Sequence, residues 1–290
     1  QVRRYRPSIT LFGGEPLLHA GCVELVRYIK DAGLHCVMIT NGSMLEKFAA
    51  DLVEAGLDEL NVSLDGGPRL HNDIRGMDGL YEKIASGINR VSQIKKEQGL
   101  DRPLLNLQCT VTAYNCGHLS QLTESADSLE ADSLTFHNLI FIDKDTLKRQ
   151  KEYDSVLKSS SADWEGFVFD PEIDPEALFS EWDELRKGRY KFKVDFYPNF
   201  SLKGLKEYYE NPSYRPSEYS CRCLSPWVTA YVFPDGNLRP CLNSDYSFGN
   251  IRNDEFDAVW NSERAVRYRK ILRDSGIFPV CVRCTELYRY

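Results

Sequence analysis

The last 70 residues concentrate thiols: Cys221, Cys223, Cys241, Cys281 and Cys284. Cys223 and Cys241 have 17 residues between them, Gly236 stands five before Cys241, and Cys281 and Cys284 form a Cys-x2-Cys pair. Thiolates from two separated pairs can enclose one tetrahedral zinc or ligate an iron–sulfur cluster, and the spacing alone serves both. The cysteines number nine, an odd count, so they cannot all pair within the chain. With no secretory signal pattern at the start, a reducing cytoplasm is expected, where spaced cysteines serve metal or redox chemistry.

A second set of chemistry-bearing residues lies in the first half, at the ends of apolar runs. These are GGEP (13–16), TNGS (40–43), SLDGG (63–67) and TAYN (112–115). Gly13 and Gly14 remove side chains where SITLF ends. Pro16 stiffens the exit, and Glu15 puts a carboxylate where an ordinary turn needs none. The elements that carry these turns alternate in period. Residues 8–12, 35–42, 57–67, 104–115, 132–142 and 191–198 read as strands, and 22–33, 44–56, 79–99, 117–129 and 174–188 as helices. Such alternation predicts an α/β fold with right-handed crossovers and a parallel sheet. All four turns then fall on the C-terminal edge, where sheets of this kind bind ligands.

The remaining segments are less regular. Residues 143–174 are polar and read as a long loop or insertion covering a site, and Asp174 with Pro175 opens the next helix. A short helix is expected over 202–212, and NPSYRPSEYS supplies a boundary near 212–218. WVTAYVFPDGNLRPC reads as a hairpin turning at Asp-Gly, followed by a helix over 254–273. Within that helix RAVRYRKILR (264–273) reads as a solvated basic face. Hydrophobic residues make up 42% of the 290, enough for a real core. The net charge of −7 gives no basic surface for nucleic acid, and no apolar run approaches the ~20 residues of a membrane span.

In order along the chain, LFGGEPLLH, MITNGSML, LNVSLDGGPRLHNDIRG and the cysteine-bearing tail resemble the radical S-adenosylmethionine (SAM) enzymes. CLSPWVTAYVFPDGNLRPC, FGNIRNDEFDAVWNSERAVRYR and CVRC resemble that family's auxiliary-cluster region, called twitch in its short form and SPASM in its long form. TELYRY adds no cysteine, which points to the single-cluster twitch form, as in the 2-deoxy-scyllo-inosamine dehydrogenase family. The resemblance implies a partial (β/α)6-type TIM barrel over 1–214 and a small auxiliary-cluster domain of hairpin and helix over 215–290.

It also implies roles. Gly13, Gly14 and Pro16 would shape the backbone approach to the SAM methionine group, and Glu15 would hold its ammonium. Thr40, Asn41 and Ser43 would offer polar groups to the cofactor, Ser63 and Asp65 would reach its ribose or carboxylate, and Arg75 would take a carboxylate or substrate anion. Cys223, Cys241, Cys281 and Cys284 would ligate an auxiliary [4Fe–4S] cluster, with Cys221 spare. Asp195 is the candidate general base, and Tyr197, Tyr231 and Trp227 are candidate cavity aromatics.

The family's catalytic [4Fe–4S] cluster needs a Cys-x3-Cys-x2-Cys loop, and this chain contains no such spacing. The resemblance places that loop and the first strand upstream of GGEP, where only 12 residues precede Gly13, so both are expected before Gln1. The implied activity is that of an oxidoreductase or tailoring enzyme in which a 5′-deoxyadenosyl radical takes hydrogen from a small metabolite or peptide side chain. Flavodoxin or ferredoxin would supply electrons. The contrasting readings are a non-catalytic SAM and iron–sulfur module and a zinc-stabilised α/β protein.

Overall fold

The computed structural model of the chain describes residues 1–289. Two compact units divide it, and neither is continuous in sequence. One holds Val2–Asn138 and Glu176–Asn199; the other holds Gln1, Leu139–Pro175 and the chain from Phe200 onward.

The first unit is built on one six-stranded sheet. Its strands are β1 (Ser8–Leu11), β2 (His35–Thr40), β3 (Glu59–Ser63), β4 (Leu104–Thr110), β5 (Ser133–His137) and β6 (Lys193–Tyr197). They lie side by side in chain order and every neighbouring pair is parallel. Helices α1 (Cys22–Asp31), α2 (Leu45–Glu54), α3 (Pro68–Arg75), α4 (Leu80–Gln98) and α5 (Gln121–Ser128) fill the crossovers up to β5. Between β5 and β6 come α6 (Lys144–Leu157) and α7 (Pro175–Lys187). Sequential order with one crossover hand places the helices on one face, so the sheet curls into a partial TIM barrel.

Residue alternation separates the two faces. Leu60, Val62, Leu107, Leu134 and Phe136 are buried on the helix-covered face. The other face of β3, β4 and β5 carries Asn61, Ser63, Asn106, Gln108, Ser133 and Thr135, all half-buried. Packing is tightest where α2 meets α4. A Cβ on Gly87 would stand 2.8 Å from both the Glu46 nitrogen and the Leu45 Cβ. Gly87→Ala should therefore destabilise the protein by about 1–3 kcal/mol through overpacking, read as a lower denaturant midpoint.

The predicted strands are found, mostly shorter than expected: the third ends at Ser63, the fourth at Thr110 and the fifth at His137. The turn after β3 is not loop throughout, because Pro68 starts α3 and Gly76, at φ 62°, ends it. Residues 143–174 are corrected more substantially. They hold α6, capped by Asp143 accepting from the Thr146 N–H, and a 3-10 turn over Ala162–Phe167. The mean polarity hid the few apolar positions that dock this segment: Ile142 and Trp164 pack with Val280, Cys281 and Cys284.

The second unit continues with α8 (Leu202–Glu210), α9 (Ser225–Val228), β7 (Tyr231–Val232), β8 (Asn237–Arg239) and β9 (Gly249–Asn250). The β7–β8 hairpin turns at Asp235-Gly236, with Gly236 at φ 86°, and β9 adds an antiparallel third strand not foreseen. The helix expected over 254–273 is two, α10 (Phe256–Trp260) and α11 (Glu263–Ser275). Ser262 breaks them apart because its side chain accepts from the Ala265 N–H as a new N-cap. The basic face of α11 is not simply solvated. Arg269 is buried with its guanidinium 4.2 Å from the Trp260 ring centroid, and it donates to the Pro226 and Trp260 carbonyls.

Candidate functional site

The carboxylate of Glu15 is the hub of the first two turns. Oε1 accepts from the Thr40 hydroxyl at 2.7 Å and the Leu17 N–H at 3.1 Å; Oε2 accepts from the Asn41 N–H at 2.7 Å. An ionised carboxylate has about four acceptor positions, so one position on Oε2 stays open. Thr40 is buried, and its hydroxyl also accepts from the Gly42 N–H at 3.0 Å. Thr40 thus steers Glu15. Asn41 Oδ1 takes the Ser43 N–H at 2.9 Å. Among the described residues the Ser43 and Ser63 hydroxyls have no hydrogen-bond partner, which leaves both for a ligand.

Gly13 lies at φ 148°, a conformation that side chains disfavour. Added Cβ atoms on Gly13 and Gly14 would meet nothing within 4 Å. Packing within the chain therefore leaves open space over both glycines. Pro16 opens a 3-10 turn, Pro16–Leu18, with Glu15 as its N-cap.

Asp65 is a second hub. It is buried, its Oδ2 accepts from Arg75 Nε at 2.6 Å and its Oδ1 from the Thr110 N–H at 3.1 Å. Its backbone N–H donates to His71 Nδ1 and its carbonyl accepts from Asn115 Nδ2. Burial lowers the His71 pKa, which fits a neutral ring accepting at Nδ1. The arrangement ties β3 to β4 and orients Arg75, which keeps its Nη groups clear of hydrogen bonds to the described residues. Asn115 stood in one of the four turns without a role; it also bonds Thr110 O and Thr112 N.

Asp195 lies on the polar face, in register with Thr135, itself opposite Gln108, which is opposite Ser63. It is half-exposed, and Lys193 on the same strand is 2.5 Å away. It also borders a cleft of about 530 Å³ beyond the β6 edge. Tyr197 follows on the same face, its ring 5.7 Å from that of His137. The unassigned polar residues of this face, Asn61, Asn106, Gln108 and Thr135, were signalled by alternation: a strand wetted on one face and apolar on the other writes every second residue polar.

In the second unit Cys223, Cys241, Cys281 and Cys284 form a quartet. Charge on Cys223 and Cys284 acts on Cys241 and Cys281 alike. Cys223 and Cys281 pack against one cluster of buried side chains, and Cys281 and Cys284 against a second. Burial pushes the thiols up, Cys223 to about 11, Cys284 to about 12, and Cys241 and Cys281 upward as well. Such a site needs bound cations to become thiolate. Cys221 is set apart; its thiol donates to the Pro216 carbonyl at 3.2 Å.

Among the described residues no three His, Cys, Asp or Glu groups close to the spacing of a single metal ion. Thiols gathered in one region but not drawn in to one centre suit a [4Fe–4S] cluster better than a lone ion. Cys22, Cys36 and Cys109 are buried free thiols, the last two on β2 and β4. Tyr231 is buried and Trp227 half-exposed on α9; both belong to this second unit.

Residues 1–105 match the model of the radical SAM superfamily, and 221–285 match that of an iron–sulfur cluster-binding domain, SPASM. The AdoMet-dependent heme synthase of Methanosarcina barkeri is 28% identical in a 289-position alignment that covers 96% of this chain and 74% of that protein. The tungsten-containing aldehyde ferredoxin oxidoreductase cofactor-modifying protein of Pyrococcus furiosus is 24% identical, over 94% of this chain and 71% of that one. Among solved structures, Streptococcus suis SuiB aligns with a TM-score of 0.63 at 12% identity, over 96% of this chain and 61% of its own. The anSMEcpe structure with AdoMet and Cp18Cys peptide aligns at 0.56 and 19% identity, over 97% of this chain and 74% of its own. At those identities the solved structures establish the fold. No helix among the described residues is long and apolar enough to cross a membrane.

Proposed function

We propose that this chain, which belongs to the radical SAM superfamily and carries a C-terminal SPASM iron–sulfur domain, oxidises a polar substrate bound against the hydrogen-bonding face of its partial barrel. When bound, SAM and the family's [4Fe–4S] clusters supply the hydrogen-abstracting radical and the electron acceptor. The chain's own residues bind, orient and move a proton.

The open position on Glu15 Oε2 takes the SAM ammonium, and Gly13 and Gly14 leave room for the methionine backbone. Pro16 fixes the approach, while Thr40 and the Asn41 N–H hold Glu15 in place. The Ser43 and Ser63 hydroxyls and the Asn41 amide complete the polar cradle. Arg75, held through Nε by Asp65, presents its outer edge to a carboxylate. Gln108 and Thr135 hydrogen-bond the substrate, a small hydroxylated metabolite or a peptide side chain, and Asp195 takes the proton released as the substrate is oxidised. Cys223, Cys241, Cys281 and Cys284 hold an auxiliary [4Fe–4S] cluster.

The gathering of the four thiols, with Cys221 set apart, carries this reading. Anaerobic reconstitution followed by iron, sulfide and zinc analysis tests it. Iron and sulfide in the tail are expected; zinc without sulfide overturns the reading. Asp195→Asn should lower turnover by roughly 10²- to 10⁴-fold while the SAM dissociation constant stays put. Turnover equal to wild type removes Asp195 from the proton step.

A further inference from the structure

The second unit holds a cavity of about 400 Å³ that the proposed chemistry leaves unused, and a cation without a counter-ion lines it. Arg283 is only 2% exposed. Its Nε donates to the Tyr208 carbonyl at 2.8 Å and its Nη2 to the Asn211 carbonyl at 2.9 Å. It makes no other hydrogen bond and no ion pair with the described residues. Nη1 bonds nothing and is not wholly enclosed, so it opens on the cavity. The guanidinium carbon stands 4.1 Å from the Phe141 ring centroid, and Phe141 lies nearly parallel to Tyr209 at 5.9 Å. Phe169, a third lining ring, is 41% exposed.

A guanidinium carries five N–H donors, and here two of them meet neutral carbonyls. A charge buried in this way is costly until it is paired. One N–H on Nη2 and one on Nη1 remain side by side, the fork that matches the two oxygens of a carboxylate. The acids that line the cavity do not fill that place. Asp143 caps α6, Asp170 Oδ1 takes the Glu172 N–H, and Glu210, at the end of α8, bonds no described residue. With Lys144 included, two cations face three carboxylates around the cavity. A plain anion would meet those carboxylates, and a plain cation would meet Arg283. A ligand that bears both charges avoids both repulsions.

We propose that this cavity binds a zwitterionic amino acid. The carboxylate docks on the free edge of Arg283, the ammonium lies toward Asp170 and Glu210, and an apolar side chain runs along Phe141, Tyr209 and Phe169. The SAM cradle at Glu15 belongs to the other unit, and the inference does not depend on what the cysteines hold.

The test is isothermal titration of L-phenylalanine into the full chain saturated with SAM, so that the cradle at Glu15 cannot supply the heat. One saturable site is expected. 3-Phenylpropionate, which lacks the ammonium, and phenethylamine, which lacks the carboxylate, should each bind about tenfold more weakly or worse. Arg283→Lys keeps the charge but gives up the fork, and should weaken phenylalanine by about tenfold or more. Glu210→Gln, at an exposed position, should weaken phenylalanine and leave 3-phenylpropionate where it was; this arm decides the matter if Arg283→Lys fails to fold. Absence of saturable heat, 3-phenylpropionate binding as tightly as phenylalanine, or unchanged phenylalanine affinity in either folded variant overturns the proposal.

Discussion

Cys281→Ala and Cys284→Ala are each expected to strip one cluster's iron and sulfide from the reconstituted protein, while Cys221→Ala leaves both unchanged. The contrast follows from the sulfurs themselves. Cys281 and Cys284 pack together beside Ile142, Trp164 and Val280, whereas the Cys221 thiol donates to a carbonyl. A thiol that donates is not arranged as a metal ligand. Removing one of four ligands also unpins the CVRC segment, against which Trp164 and Ile142 pack, so the thermal midpoint should fall along with the iron. Iron content that survives in Cys281→Ala, or that vanishes in Cys221→Ala, refutes the ligand set.

Glu15→Ala should weaken SAM binding without altering iron content. A hydrogen bond to a charged group contributes about 1.5–3 kcal/mol, so the dissociation constant should rise roughly 10- to 150-fold. A second effect accompanies it. The Thr40 hydroxyl and the Leu17 and Asn41 N–H groups lose their acceptor together, and two turns come apart. Glu15→Gln keeps one acceptor oxygen but replaces the other with a donor that meets the Asn41 N–H or the Thr40 hydroxyl. It should therefore recover only part of the affinity. Isothermal titration with SAM separates the outcomes, and affinity unchanged in Glu15→Ala sinks the role assigned to the carboxylate.

The parallel sheet and its ligand edge were legible because periodicity and turn chemistry are local. SITLF followed by Gly-Gly, or HCVMIT followed by Asn-Gly, writes its own strand end. The Cys-x2-Cys pair and the Gly236 hairpin were legible for the same reason. The division of labour within the turns was not. That Thr40 and Asp65 also brace neighbouring turns, while the Ser43 and Ser63 hydroxyls stay open, depends on partners up to 45 residues away, such as Thr110 for Asp65. Residues 143–174 were misread because their apolar positions are few and find their partners near residue 280.

The chain leaves the cluster-bearing unit at Pro175, contributes a helix and an edge strand to the barrel, and returns at Phe200. Neither body can therefore be inherited, transplanted or shuffled as a single cassette. A chimera that exchanges only the tail would bring in new sulfurs while keeping the old α6 and Trp164 beside them, and a mismatch there would be felt at the ligands. Variation in substrate chemistry among such enzymes then has to be introduced residue by residue in both segments, and the two parts are bound to change in step.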